Sequence, residues 1–223
     1  MSIASLRRRA ADNTLEVEHL LKAASRRVPG LQNELLRLAG ELAWSDEIYL
    51  PDGSHVVPLA RWARVAGAFA EDGYGSLAPF SLDASYAPYI LGLLEEINTP
   101  EAIDQLFVLF QDVVREPQNR PGIAHKLVST INLLFSVKRS PISTSQQRDQ
   151  AATFLGKVIP FSATNTERAH VLYALRGTGN SHSLEALEAV EEPTTPYAGA
   201  RAMAIRAIRK RLASAGLQPG AWS

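Results

Sequence analysis

The stretch Arg168-Ala169-His170-Val171-Leu172-Tyr173-Ala174-Leu175-Arg176-Gly177-Thr178-Gly179 decides how this chain is read. Ala169, Leu172, Tyr173 and Leu175 recur at helical spacing, and Thr164 followed by Glu167 supplies a capping box that opens the helix. Gly177 and Gly179 are expected to break it. Ser181 then caps a short helix carrying Leu184, Leu187 and Val190. Thr195-Pro196 begins another, with Ala198, Ala202, Ile205, Ile208 and Leu212, finished at Gly216. Small alanines let paired helices approach, and leucines fill the space between pairs.

Upstream the same grammar repeats. Thr99 can cap a helix with Pro100 at its first position and Glu101 in its first turn. Ile103, Leu106, Phe107, Phe110, Val113 and Val114 give that helix one apolar stripe, and Glu116-Pro117 ends it. Pro121 opens the next, with Ile123, Leu127, Val128, Ile131, Leu134 and Phe135 on one side, closing near Ser140-Pro141. Ser143 or Thr144 starts another, with Ala151, Phe154, Leu155, Val158 and Ile159 inward, stopped at Pro160. Starts at Thr99, Ser143 and Ser181 lie 44 and 38 residues apart, each interval enclosing two helices.

A period near forty with two helices per unit resembles the helical-repeat solenoids of the HEAT class. The Arg168–Gly179 stretch, Ser183-Leu184-Glu185-Ala186-Leu187 and Arg201-Ala202-Met203-Ala204-Ile205-Arg206-Ala207-Ile208 are similar to its short unit. In that unit an Arg-x-x-Ala-x-x-Ala-Leu helix runs into a Gly-containing turn and a Leu-x-x-Leu helix. The likeness is strongest over 164–213, extends over 86–160 and fades before 80. Asn180 stands where the unit carries an acidic residue after Gly179. The resemblance implies an all-α fold, a right-handed α-solenoid of antiparallel helical hairpins.

Residues 1–80 form a less regular helical region, 81–216 the repeats and 217–223 a tail, expected as one continuous unit. One long or two short helices occupy 3–27, and another follows Gly30 through Leu31, Leu35, Leu38 and Leu42. Branched and aromatic residues flank Pro51-Asp52-Gly53, which reads as a small β-hairpin inserted near 47–57. Pro58 restarts a helix through Leu59, Trp62, Val65 and Phe69, ended at Gly73 and Gly75. Residues 74–85 are expected to be a loop.

Composition excludes several chemistries. The 223 residues contain no cysteine, which removes disulfides and thiolate catalysis. No stretch approaches 18 consecutive apolar residues, and Met1–Arg9 lacks the apolar run of a secretory leader, so a soluble, cytoplasmic protein without a membrane partner is expected. His19, His55, His125, His170 and His182 form no His-x-x-x-His pair, and no phosphate loop, dinucleotide fingerprint or Gly-x-Ser-x-Gly elbow occurs. No metal, cofactor or catalytic residue is indicated. Net charge is zero, yet residues 1–40 carry +3, residues 41–116 carry −10 and residues 117–223 carry +7.

Thirteen acidic against three basic side chains over 41–116 make the middle of the chain the place to seek a basic partner. Glu95 and Glu96 end the helix expected over 86–97, where the macrodipole disfavours acids. They diverge by about 100° around the axis and cannot face each other as a hydrolytic dyad. Asp104, Val108, Gln111, Asp112 and Arg115 line the next helix opposite its apolar stripe, and His125, Ser129, Asn132 and Ser136 are similarly spaced on the one after. Tyr86 extends the acidic stripe as an aromatic anchor. Glu95, Glu96, Asp104, Gln111, Asp112 and Tyr86 are thus the candidate partner-binding residues.

The expected function is a non-catalytic scaffold or inhibitor that binds another protein. The likeness to small bacterial HEAT-like proteins, some of them immunity proteins, implies a basic toxin domain as its target. A HEAT-like DNA glycosylase would need a basic groove, which the acidic middle opposes, so nucleic acid is not the expected partner. A HEAT-like lyase or chaperone subunit rests on fold analogy alone.

Overall fold

A computed structural model describes residues 1–41, 48–49, 55–56, 59–137 and 143–214. Among these residues the fold is helical apart from one short two-stranded pairing. Two compact units divide it, Met1–Ile97 and Asn98–Ser223, so the line drawn at 80/81 falls inside the first.

In the first unit, α1 (Ile3–Ala11) and α2 (Val17–Ser25) answer the choice between one helix and two; Asn13, at φ 56°, stands between them. α3 (Leu31–Glu41) and α2 pack on α4 (Leu59–Asp72), whose Ala63, Val65, Ala66 and Phe69 are buried. α5 (Ala87–Ile97) lies against α2 and α4. Ile48–Tyr49 (β1) and His55–Val56 (β2) pair antiparallel, Ile48 opposite Val56. The Pro51-Asp52-Gly53 turn lies outside the described residues.

Gly73, at φ 73°, ends α4, as its sequence position suggested. The expected loop after it begins instead as a 3₁₀ segment, Gly73–Phe80. Leu77 is fully buried there and the Ser76 hydroxyl donates to the Gly73 carbonyl at 2.7 Å, so burial and a local bond order a stretch that glycine and proline alone would leave open.

Buried Glu34 ties α1 to α3, accepting from Arg7 at 2.6 Å and from Arg37 at 2.5 Å. Hydrogen bonds from Arg7 and then Arg37 lower its pKa from 4.5 to about 2.

In the second unit, Thr99 caps α6 (Pro100–Leu109) as its sequence predicts. The single long helix expected from Pro100 is broken at Phe110 (φ −108°, ψ 24°), whose ring is fully buried, and α7 (Gln111–Arg115) follows. α8 (Pro121–Asn132) widens into a π-helical turn at Leu133–Val137. Its expected close at Ser140-Pro141 lies outside the described residues. Thr144 and Thr164 open α9 (Ser145–Val158) and α10 (Asn165–Thr178) with capping boxes, and 3₁₀ residues Ile159–Phe161 follow α9. The cap of α11 (Ser181–Glu188) is Asn180, not Ser181, because its carboxamide oxygen accepts from the Ser183 N–H. The last helix, α12 (Ala200–Ser214), starts four residues beyond the expected Pro196. Gly199 sits at φ 90°, outside helical geometry, and regular structure can begin only after it. The expected end at Gly216 lies outside the described residues.

α10 packs against α8 on one side and α12 on the other, while α9 packs on α10 and touches α6 and α11. Gly177 does not break α10, which runs through it to Thr178. A Cβ at Gly177 would lie 2.8 Å from the Phe135 carbonyl oxygen, and one at Gly179 would strike Ile208 of α12. These glycines serve close approach of neighbouring backbone and side chain.

Among the described residues, four helix ends are closed by a cation from elsewhere in the same unit. Arg27 donates to the Ala70 and Glu71 carbonyls, Lys157 to those of Val114 and Arg115, and Arg201 to those of Leu187 and Glu188. Arg211 donates to the Gly179 and Arg176 carbonyls at the end of α10. Each meets the unpaired carbonyls and negative dipole of a helix C-terminus.

Candidate functional site

The six candidate residues fall in both units. Tyr86, Glu95 and Glu96 belong to the first, where all three are half-buried. Tyr86 accepts a hydrogen bond from Arg64 at 3.1 Å, and its ring lies 5.1 Å from Phe80 and 6.5 Å from Tyr89. Burial pushes the Tyr89 hydroxyl pKa up. An exposed aromatic anchor would be free to cover a partner; Tyr86 is packed into this unit's own aromatic cluster.

Asp104, Gln111 and Asp112 belong to the second unit and are exposed on α6 and α7, as is Val108 between them. Asp104 accepts from the Gln147 carboxamide at 2.7 Å, and the same group donates to the Pro100 carbonyl at 2.9 Å. Gln147 is buried and also completes the cap of α9. At the other end, the Lys157 ammonium reaches the Val114 and Arg115 carbonyls, each at 3.3 Å. The start of α9 therefore lies beside the start of α6, and its end beside the end of α7. The helices run in the same direction, latched at both ends.

Between the latches lies a groove of about 680 Å³, lined from α6–α7 by Phe107, Gln111, Val114 and Arg115. From α9 it is lined by Ser145, Gln146, Asp149, Gln150, Thr153 and Lys157. The latches are ten residues apart on α9, about 15 Å of helix. Its size lies in the range of ligand sites, roughly 300–1,000 Å³. A smaller groove of about 230 Å³ follows on the other flank of α9, toward α11, and shares Thr153. Asp149 is engaged, accepting from the Asn180 carboxamide at 2.8 Å. This contact explains the departure at Asn180: an acid there would set two carboxylates face to face.

The second expected stripe is largely spent inside the unit. His125 lies 3.5 Å from Glu167 and edge-on to Phe161, and Ser136 donates to the Tyr173 carbonyl at 3.2 Å. The Asn132 carboxamide oxygen is the exception, buried without a hydrogen-bond partner. The Glu167 pKa is lowered, chiefly by the Thr164 N–H that caps α10 with it.

Gln146, Gln150 and Thr153 were not among the candidates. Their signal was available as the polar face of α9, opposite Ala151, Phe154, Leu155 and Val158, but any solvated helix face has the same pattern. Among the described residues, no group of three or more histidine or carboxylate side chains could hold a metal, and no helix is long and apolar enough to cross a membrane. Comparison with protein-family models, with curated proteins and with solved structures returns no match.

Proposed function

We propose that the chain is a non-catalytic protein-binding scaffold or inhibitor and that its docking side is the row formed by α6–α7, α9 and α11. We read the second unit as a right-handed HEAT-like stack, with α8, α10 and α12 as the opposite row, and the β1–β2 pairing as the ladder of an inserted hairpin. The observation that carries the function is the groove beside α9, held open by a latch at each end and walled on the α9 side by polar side chains. Repeat stacks use such extended faces for recognition.

The acids flanking this row, Glu101, Asp104, Asp112 and Glu116, are exposed and suit a basic partner. Val108, 58% exposed among them, offers an apolar contact at the centre. Within this class we favour an immunity protein that neutralises a basic toxin domain. The surface is narrower than the six candidates first suggested: Asp104, Gln111 and Asp112 remain, while Tyr86, Glu95 and Glu96 fall outside it.

Quantitative affinity purification from the native host tests this reading. A protein of basic isoelectric point is expected with the wild type and is lost with the combined variant Glu101→Lys, Asp112→Lys, Glu116→Lys. The variant Glu95→Lys, Glu96→Lys is expected to retain it. Equal recovery by wild type and triple variant removes the α6–α7 flank from the function.

A further inference from the structure

We propose that the groove between α6–α7 and α9 receives an extended polypeptide segment and holds one of its carboxylates on Arg115, a proposal that rests on the docking row described above. α9 presents Ser145, Gln146, Asp149, Gln150, Thr153 and Lys157 to the groove, without one apolar residue. Among the described residues, the side chains of Gln111, Gln146 and Gln150 bond no protein group, and neither does the Arg115 guanidinium. Three carboxamides, each with one acceptor and two donors, therefore face one cleft with their capacity unspent.

Their spacing selects the occupant. Gln146 and Gln150 are one turn apart, about 6 Å along the axis. In an extended chain alternate residues point their N–H and C=O to the same side, about 6.5–7 Å apart. Each carboxamide can accept from the N–H and donate to the C=O of one such residue, so the two address successive alternate positions. A helical occupant has already paired its own backbone and would bury these amides unsatisfied. The 15 Å between the latches accommodates about four or five extended residues.

Charge fixes the direction. Lys157 spends donors on the Val114 and Arg115 carbonyls, and Asp149, the acid in the lining, is held by Asn180. Arg115 has five donors available at that end, in a fork matched to a carboxylate. The occupant therefore places an Asp, a Glu or a chain terminus there, while the rest of its partner meets the acidic flank.

The test pans the full chain against a displayed random hexapeptide library and measures enriched synthetic hexapeptides by fluorescence polarisation. Enriched sequences are expected to share a carboxylate at one fixed position. Gln146→Ala with Gln150→Ala weakens binding about tenfold or more, and Arg115→Gln weakens it and abolishes the preference for the carboxylate. All three residues are exposed and their side chains bond nothing in the fold, so circular dichroism should be unchanged. No enrichment, enrichment without a fixed acidic position, binding that survives the double glutamine variant, or peptides bound as helices each overturn the proposal. Failure here with the basic partner still captured sinks the groove alone. Hexapeptide binding without any captured partner sinks the scaffold reading and leaves the groove standing.

Discussion

Asn180 does two jobs that aspartate could not combine. Its carboxamide oxygen caps α11 and its NH2 donates to Asp149. Asn180→Asp keeps the cap but sets two carboxylates at hydrogen-bond distance. We expect a loss of about 1 kcal/mol in urea unfolding, recovered by adding Asp149→Asn. Gly177 is the reverse case, where propensity misleads. Alanine within a helix usually gains about 1 kcal/mol over glycine. Here the added methyl meets the Phe135 carbonyl at 2.8 Å, and backbone cannot step aside as a flexible side chain can. Overpacking costs roughly 1–3 kcal/mol, so Gly177→Ala should lower the unfolding midpoint rather than raise it.

At the scale of elements, the caps at Thr99 and Thr164 were legible, and that of α9 to within Ser143 or Thr144, because each is a bond between residues three apart. Helix type and apolar faces were legible for the same reason: the 3.6-residue period is local. The break at Phe110, the ordered turn at Gly73–Phe80 and the delayed start of α12 were not. Each depends on what a side chain is buried against or on a backbone angle that residue type alone leaves open. The site was less legible still. Asp104 reads in the sequence as a partner-binding acid, yet it is also one half of the latch with Gln147, 43 residues away. Gln147→Ala should therefore act locally. It removes donors to Asp104 and to the Pro100 carbonyl and half of the α9 capping box, at a cost of about 1–3 kcal/mol. Hydrogen exchange should quicken in the first turns of α6 and α9 while the amides near Lys157 keep their protection. Uniform acceleration across the second unit would contradict independent latches.

At the scale of the whole molecule, acid sensitivity among the described residues follows the carboxylates whose folded pKa values are lowered, Glu18, Glu34, Asp83 and Glu167. Glu34 and Glu167 both have folded pKa values below the ordinary 4.5. Such groups stabilise fully above that value and lose their contribution as pH falls through the folded one, toward about 2 for Glu34. Unfolding free energy should be flat above pH 5 and decline below 4.5. Glu34→Gln should flatten most of that decline and cost about 1–2 kcal/mol at pH 7, which a pH series of urea melts measures. The four cation-to-carbonyl ties at helix ends behave differently. Each acceptor is a peptide oxygen, so none of these bonds depends on an ionised carboxylate. Seams stitched this way give a chassis that ignores ordinary swings in acidity. A binder built on it would grip or release according to the titration of whatever it holds, with these seams unmoved.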